Sequence, residues 1–157
     1  MNIRLCYASQ RDRDRPDLLE DLQDILLFAR NFNSQHDISG VLYYADHYFF
    51  QCLEGEETCV KELFASISKD QRHFNVLYLG SSEIEHPEFK NWSMKYVQKD
   101  SQVKQFFTTL GYEKFLPLTL KEQDIPDFLK TLLHAQETII KSTTRVGLNN
   151  RGINNMF

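Results

Sequence analysis

The residues best placed to do chemistry are polar side chains that lie where a strand should be apolar. Residues 49–55 read Phe-Phe-Gln-Cys-Leu-Glu-Gly, which predicts a strand ended by the Glu-Gly pair. Strand alternation puts Phe49, Gln51 and Leu53 on one face, so Gln51 is an amide at the centre of an apolar surface. A buried amide costs free energy unless its donor and its acceptor are both paired. Gln51 therefore either pairs with a stray backbone group or touches a buried polar ligand.

Tyr7 and Asn33 are two further polar side chains that could belong to a site. Tyr7 lies in a short alternating strand predicted over residues 2–9, and Asn33 ends the apolar stripe of a helix predicted over residues 16–33. An ordinary core tyrosine has its hydroxyl hydrogen-bonded, and an asparagine is a usual helix stop. Both residues therefore have a structural interpretation beside a functional one.

The elements that position these residues follow the order strand-helix-strand-strand-helix-strand-strand. After the first strand and helix, the predicted elements are strand 38–44, the strand that carries Gln51, helix 56–70, strand 74–80 and strand 91–98. This order is that of a ferredoxin-like α+β fold with one extra strand, so we expect a five-stranded mixed sheet with two helices on one face. On the last strand Trp92, Met94 and Tyr96 are expected to share a face.

The chain beyond residue 98 has a helical pattern. Segments 103–110 and 124–141 are predicted helices, and their apolar residues need a surface to bury against. The sheet face opposite the first two helices is the available one. We therefore divide the chain into a core domain at 1–98, a helical extension at 99–141 and a flexible tail at 142–157.

Composition and charge argue against several classes of protein. With 157 residues, a net charge of −4 and a pI near 5.7, the chain has no global basic field to attract nucleic acid or anionic lipid. It has no signal-peptide pattern and no apolar run of about 18 residues, so we expect a cytoplasmic protein that does not enter a membrane. Cys6, Cys52 and Cys59 lack CxxC spacing, and the histidines form no HxxxH or HxH pattern, which predicts reduced thiols and no metal site.

Short motifs distributed over the predicted core domain together resemble one known family. They are Tyr7-Ala8-Ser9, Asn33, Ile38-Ser39-Gly40-Val41-Leu42, Gln51-Cys52-Leu53-Glu54-Gly55, Asp70-Gln71-Arg72-His73 and Trp92-Ser93-Met94. Their order and spacing resemble the BLUF domain, a blue-light receptor that uses flavin. The resemblance covers about residues 2–98 and extends to the short BLUF proteins, which carry only a helical C-terminal extension. It therefore implies a photoreceptor that is not an enzyme.

The resemblance implies a photochemical pair beside the flavin. In the family the flavin ring lies between the two helices and against the sheet, and the cofactor is FAD, with FMN as the alternative. Tyr7 would donate an electron and a proton to the photoexcited flavin, and Gln51 would bridge Tyr7 and the flavin. Because an amide both donates and accepts, rotation or tautomerisation of Gln51 would invert its hydrogen bonds without changing the net charge. A stronger hydrogen bond to the flavin carbonyl would then give the family's small red shift.

The resemblance also implies which residues hold the cofactor. Asn33 would bind the pyrimidine edge of the ring through its amide. Arg72 would lie near the other ring carbonyl or the phosphates, and Asp70 and His73 would flank that position. Many family members have an Asn or a His directly before the helix Asn, where this chain has Phe32, which leaves the contacts to the cofactor tail open.

Trp92 and Met94 are the output residues that the resemblance implies. Either of them could pack next to Gln51 in the dark, and a flexible Met side chain can repack around a changed amide. We therefore expect light to alter the last strand and the helices that follow Lys99. Since no enzymatic domain is expected, the signal would pass to a regulatory protein or to a second copy of the chain.

Two other classes of protein fit parts of the sequence. A ferredoxin-like sheet with exposed aromatics could bind RNA, but the acidic pI and the lack of an RNP1-like segment argue against it. A light-independent small flavoprotein or acylphosphatase-like enzyme would need a catalytic constellation, and no Cys-His, Ser-His or paired-carboxylate arrangement is visible. Glu54, Glu56 and Glu57 are interpreted as a solvated helix start. The sequence therefore favours the photoreceptor.

Overall fold

The computed structural model describes residues 1–140, so the tail predicted at 142–157 lies outside the described part of the chain. The strands are β1 (Asn2–Arg11), β2 (Ser39–Ala45), β3 (Tyr48–Glu56), β4 (His73–Glu83) and β5 (Lys95–Gln98), and the helices are α1 (Leu18–Gln35), α2 (Glu57–Ile67), α3 (Ser101–Thr109) and α4 (Ile125–His134). Short 3-10 turns at Pro117–Thr119 and Glu122–Asp124 lie between α3 and α4. Within residues 1–140 no helix is both long and apolar enough to cross a membrane.

The strands form one mixed sheet in the order β4-β1-β3-β2-β5. Neighbouring strands are antiparallel except β2 and β5, which are parallel. This confirms the predicted ferredoxin-like α+β fold. The register places Tyr7 of β1 directly opposite Gln51 of β3, and Gln51 directly opposite Leu42 of β2. The central strand therefore holds Gln51 between two paired neighbours.

Acidic caps begin the two helices on the site's face of the sheet. The Asp17 carboxylate accepts from the Glu20 backbone N–H at 3.0 Å, and the Glu56 carboxylate accepts from the N–H groups of Thr58 and Cys59 at 3.0 Å each. A carboxylate at this end satisfies free backbone donors and opposes the positive end of the helix dipole. The local sequence thus sets where α1 and α2 begin.

Glu54 is not part of a solvated helix start, contrary to the prediction. β3 continues to Glu56, so Glu54 remains in the sheet, where it is fully buried. Its carboxylate pairs with Arg4 at 3.0 Å and accepts from the Phe89 backbone N–H at 2.8 Å. A buried charge requires such partners, and here they tie β3 to the segment before β5.

Separate apolar cores lie on the two faces of the sheet. The core beneath α1 and α2 includes Leu5, Leu22, Leu26, Leu42, Leu53, Val60 and Leu63, and the opposite core beneath α3 and α4 includes Val41, Phe50, Val97, Phe107, Phe115 and Phe128. The C-terminal helices therefore cover the face opposite the first two helices, as predicted. The Phe128 ring lies 4.7 Å from that of Phe50 and 5.5 Å from that of Phe107, measured between centroids.

The last strand is shorter than predicted. β5 begins at Lys95, and the residues before it lie in turns and bends rather than in a strand. Met94 packs into the core beneath α1 and α2, whereas Trp92 packs against the opposite core. The prediction that Trp92 and Met94 share a face is therefore wrong, because two-residue alternation holds only inside a strand.

The last helix is also shorter than predicted, since α4 ends at His134. The residues after it run along the outer edge of β5. The Thr138 backbone N–H donates to the Tyr96 carbonyl at 2.7 Å, and the Gln98 N–H donates to Thr138 Oγ1 at 3.1 Å. These bonds satisfy backbone groups that an open sheet edge would present to water. We call residues 135–140 the edge segment.

Candidate functional site

Tyr7 and Gln51 form a buried hydrogen-bonded pair at the centre of the sheet. Each is 3% exposed, and the Tyr7 hydroxyl donates to Gln51 Oε1. The other end of the amide, Gln51 Nε2, lies 3.6 Å from the Met94 sulfur. A thioether is only a weak acceptor, so the Gln51 NH₂ group retains donor capacity for a stronger partner.

Burial keeps Tyr7 in its neutral form. Loss of solvent raises the pKa of the Tyr7 phenol well above its ordinary value, and the negative charge of Asp70 raises it further. Its proton is therefore held toward Gln51 Oε1 at any physiological pH. The Phe64 ring of α2, 5.3 Å away between centroids, covers the tyrosine from the helix side.

A cavity adjoins this pair, between α1, α2 and the sheet. Its lining residues are Tyr7, Ile25, Leu42, Phe49, Gln51, Ile67, Asp70, Arg72 and His73. Small-molecule pockets combine apolar walls with a few fixed polar groups. This cavity has both features.

The polar end of the cavity is held by Asp70, Arg72 and His73. Asp70 Oδ1 accepts from both the backbone N–H and Nε of Arg72, at 2.9 and 3.0 Å, which buries the ion pair with matched partners. His73 Nε2 lies 2.7 Å from the Ile67 carbonyl, and Nδ1 lies 2.8 Å from Ser9 Oγ. Burial lowers the pKa of the His73 imidazole, so the ring is neutral. Since a carbonyl only accepts, Nε2 carries the proton and Nδ1 accepts from Ser9.

Asn33 lies apart from the residues that line the cavity. Its side chain is 1% exposed, and its Nδ2 donates to the Ser93 carbonyl at 2.7 Å. Its Oδ1 is buried without a hydrogen-bond partner. A buried acceptor without a partner costs free energy. Asn33 also accepts at its backbone carbonyl from His36 and Ile38. The prediction that Asn33 is the C-cap is nevertheless wrong, because α1 continues to Gln35 and its C-cap is His36.

Lys95 is a residue of interest that the sequence interpretation missed. Its side chain is 2% exposed, and Nζ donates to the carbonyls of Leu132 and Leu133 at 3.0 and 2.9 Å. Nζ also lies 4.5 Å from the centroid of the Trp92 ring, a cation–π contact. The ammonium therefore caps the C-terminal end of α4, where the helix dipole favours a cation. A lysine between Met94 and Tyr96, in an otherwise apolar stretch, was the available signal.

Arg30 is a second residue that sequence reasoning missed. Its Nε donates to the Met94 carbonyl at 3.2 Å, and Nη2 lies 3.6 Å from the carboxylate of Glu137 in the edge segment. Arg30 thus joins α1, the entry to β5 and the edge segment. Because many positions of α1 face water, an arginine in this helix did not by itself indicate a functional role.

The chain matches one protein family and is similar in fold to solved structures. Residues 3–95 match the BLUF family, described as sensors of blue-light using FAD. The fold is similar to that of BlsA in its ground state, which is 50% identical with a TM-score of 0.90 over 96% of this chain and 100% of that one. Its photo-activated state is 52% identical with a TM-score of 0.86, over 88% of this chain and 99% of that one.

Curated relatives match the same region within much longer proteins. The blue light- and temperature-regulated antirepressor BluF of Escherichia coli is 35% identical over 79 residues, which are 50% of this chain and 19% of that protein. The photoactivated adenylate cyclase subunit alpha of Euglena gracilis is 34% identical over 92 residues, 59% of this chain and 9% of that protein. The chain therefore spans less than a fifth of the length of the curated relatives it matches.

Proposed function

The chain belongs to the BLUF family of blue-light sensors that use FAD, and from this premise we propose that it is a photoreceptor that signals through another protein. FAD would bind with its ring in the cavity between α1, α2 and the sheet. The observation that carries the proposal is the contact series Tyr7–Gln51–Met94, in which Tyr7 and Gln51 line that cavity.

The residues present fit a flavin ring system. The cavity has apolar walls from Ile25 and Ile67 and hydrogen-bonding groups at its sheet side. Asn33 Oδ1 is a buried acceptor without a partner, and the Gln51 amide has spare donor capacity. We assign Asn33 and Gln51 to the ring's polar edge, and Arg72, with Asp70 and His73, to the other polar end of the cavity. When bound, FAD supplies the absorption of blue light and accepts an electron after it.

Tyr7 is suited to give up an electron together with its proton. A phenol that loses an electron becomes strongly acidic, so its proton must have an acceptor already in place. Gln51 Oε1 accepts a hydrogen bond from the Tyr7 hydroxyl in the resting arrangement. Burial raises the pKa of Tyr7 and thus keeps the donor protonated until that moment.

Gln51 is suited to convert this event into a change of contacts. In the resting arrangement its Nε2 faces the Met94 sulfur at 3.6 Å. Rotation of the amide would place Oε1 there instead, so that two acceptors face each other without a proton between them. Met94 would then have to move, and its flexible side chain permits this. Met94, rather than Trp92, is therefore the first residue that we expect to respond.

Few contacts separate Met94 from the C-terminal helices. The Met94 carbonyl accepts from Arg30, and the next residue, Lys95, holds the end of α4 from the other face of the sheet. Trp92 lies against the Lys95 ammonium, so it takes part in the output at that second step. We propose that light changes how α4 and the edge segment are held against β5.

The receiver of the signal would be a regulatory protein or a second copy of the chain. A relative in Escherichia coli is named an antirepressor, which supports signalling through protein contact. Within residues 1–140 no group of three or more His, Cys, Asp or Glu side chains is arranged to hold a metal. The free thiols of Cys6 and Cys52, paired across neighbouring strands, support a reducing, cytoplasmic location.

A visible absorption spectrum before and after blue light tests the proposal. We expect a yellow protein whose flavin band shifts slightly to the red and returns in the dark. A flavin that bleaches under the same light would instead favour a redox enzyme. A preparation that neither carries nor takes up flavin would contradict the assignment of the cavity.

A further inference from the structure

The segment that leads into β5 is held at three consecutive carbonyl groups, although it lies outside any helix or strand. We call residues 92–94 the entry segment. Its donors are the Gly40 backbone N–H to the Trp92 carbonyl at 3.3 Å, Asn33 Nδ2 to that of Ser93 at 2.7 Å, and Arg30 Nε to that of Met94 at 3.2 Å. We propose that Arg30 is a positioning residue for the light reaction, which fixes the Met94 backbone so that Met94, and not Trp92, contacts Gln51. This role rests on the proposed function, which supplies the light reaction at Gln51.

Strand pairing does not determine which way Met94 points. The parallel ladder between β2 and β5 begins with Val41 opposite Lys95, so the entry segment lies before it. Trp92 and Met94 nevertheless pack into different cores, on opposite faces of the sheet. A twist of the entry segment about its own axis would exchange the two side chains. Because hydrogen bonds are directional, the same twist would break those to the carbonyls, so their donors hold the observed arrangement.

Arg30 reaches the entry segment from a helix that is itself fixed. Arg30 and Asn33 lie on one face of α1, since residues three apart on a helix are neighbours. The helix is anchored by Leu22, Leu26 and Ala29, which are buried in the core beneath it. A donor carried by such a helix stays in place when the entry segment is displaced, and therefore opposes the displacement.

Of the three donors, Arg30 acts on the residue that contacts Gln51. The Gly40 N–H belongs to the backbone of β2 and holds the far end of the entry segment, at Trp92. Asn33 holds the carbonyl between the two. The Arg30 bond is at Met94 itself, whose sulfur lies 3.6 Å from Gln51 Nε2. It is therefore the bond that most directly sets where the thioether lies.

The fork of the arginine side chain suits this position. While Nε donates to Met94, Nη2 lies 3.6 Å from the Glu137 carboxylate in the edge segment. The side chains of Arg30 and Glu137 are 42% and 36% exposed, so water screens the ion pair and it adds little stability. Its geometric effect is to keep the planar guanidinium oriented with Nε toward Met94. A lysine would carry the same charge without the Nε donor or the plane.

The contact between Met94 and Gln51 in the dark tests the role of Arg30. We would use flavin-loaded full-length protein with ¹³C-labelled methionine methyl groups and measure the nuclear Overhauser signal between the Met94 methyl and the Gln51 side-chain amide. One hydrogen bond is worth roughly a factor of two to ten in an equilibrium. In Arg30→Met the exchanged arrangement should gain that factor, and the Met94 signal should weaken accordingly. Arg30→Lys should not restore it, because the lysine lacks the Nε donor.

Trp92 gives a second measurement, since it is the only tryptophan of the chain. Its ring lies 4.5 Å from the Lys95 ammonium, measured to the ring centroid. If the entry segment twists in Arg30→Met and Arg30→Lys, the ring leaves this cation and its fluorescence emission should shift in wavelength. Destabilisation without a change of arrangement would lower the melting temperature but leave the emission of the folded protein unchanged.

Two matched variants separate the Nε contact from charge. Glu137→Gln removes the charge of the ion pair but keeps an acceptor for Nη2, and should leave both signals as in the wild type. Arg13→Lys makes the same exchange at an exposed position before α1 and should also leave them unchanged. Unchanged signals in Arg30→Met, full restoration by Arg30→Lys, or an equal loss in Glu137→Gln would each overturn the role of Arg30.

The result is separable from the test of photoreception. A reversible red shift in the wild type, together with unchanged Met94 and Trp92 signals in both Arg30 variants, would reject the role of Arg30 and keep the proposed function. A wild type without a reversible red shift would reject the light reaction itself, and with it the role of Arg30 in that reaction.

Discussion

The two faces of the sheet have opposite characters although the same strands build both. The face under α1 and α2 combines a cavity with buried polar groups, among them Tyr7, Gln51 and Asp70. The face under α3 and α4 is packed with rings, and the centroid of Phe128 lies within 6.3 Å of those of Phe50, Phe107 and Phe115. One face has room for a ligand and for rearrangement, whereas the other behaves as a rigid body, since closely packed interiors transmit displacement.

β5 is where we propose that the two faces communicate. Met94, immediately before the strand, contacts Gln51 on the cavity side, and Lys95, the next residue, holds α4 on the other side. Because one peptide bond joins Met94 to Lys95, we expect a displacement of one to reach the other. The contrast between an adaptable face and a rigid face can therefore be tested by substitutions on each side of this strand.

Loss of the photochemical pair should have the largest effect, which is complete loss of the light response. Tyr7→Phe leaves the cavity walls intact but removes the hydroxyl that donates a hydrogen bond to Gln51 Oε1. Unfolding free energy should fall by about 1–3 kcal/mol because the amide oxygen is left buried without its donor. Absorption spectra under blue light should show bound flavin without a red shift. A normal shift would refute the assigned role of Tyr7.

Damage to the rigid face should affect stability rather than photochemistry. Phe128 is fully buried, and Phe128→Ala leaves a void among the rings of α4 and the sheet. We expect a loss of about 3–5 kcal/mol in denaturant unfolding. The folded fraction should keep its red shift. If this variant abolished the shift in protein that still bound flavin, the two faces would not be separable.

Removal of the Lys95 charge should uncouple the faces. Lys95→Met keeps the length of the side chain but removes the donor to Leu132 and Leu133. Stability should fall by about 1–2 kcal/mol, since the lost charged hydrogen bonds are partly offset by the desolvation that the ammonium no longer requires. The red shift should persist, while any light-dependent change in hydrogen exchange over Ile125–His134 should disappear. The exposed Lys104→Met serves as the control, and an equal effect there would contradict the role of Lys95.

A matched pair on the two sides of β5 should differ in the rate of dark recovery. Met94→Leu replaces the side chain that touches Gln51 with one of similar volume, so the fold should change by less than about 1.5 kcal/mol while recovery kinetics change clearly. Trp92→Phe acts on the opposite core and should alter recovery less. A reversed order would mean that Trp92, rather than Met94, reaches the amide in the dark.

Acid should lower the stability of the folded protein through protonation of His73. Burial and the positive charge of Arg72 lower the pKa of the folded imidazole, although the Ile67 carbonyl and Asp70 oppose this, so the unfolded chain binds the proton more readily. Stability therefore falls as pH drops below the ordinary histidine value of about 6.5. Unfolding curves from pH 7 downward should fall less steeply in His73→Gln than in the wild type. A parallel decline would show that other groups carry the acid sensitivity.

Much of the fold could be predicted because it depends on local patterns. Periodicity predicted the order of strands and helices, and the excess of apolar residues after Lys99 predicted helices over the free sheet face. The amide of Gln51, at the centre of an otherwise apolar strand face, indicated which strand carries the site. Glu54 was wrongly assigned to a helix start, because a carboxylate beside Gly55 fits a helix start as well as a strand. Only the fold shows that Glu54 pairs with Arg4, which is far away in the sequence.

The sequence by itself predicted the strands that carry Tyr7 and Gln51, since side-chain alternation is a property of the local chain. It did not predict that Ile25, Leu42 and Ile67 line the cavity or that Asn33 lies outside its lining. Tertiary structure alone decided that Met94 rather than Trp92 faces Gln51, and that Lys95 caps α4. It also decided that the edge segment pairs with β5 instead of extending the helix. These outcomes depend on contacts between segments far apart in the chain, whose free energies no local pattern contains.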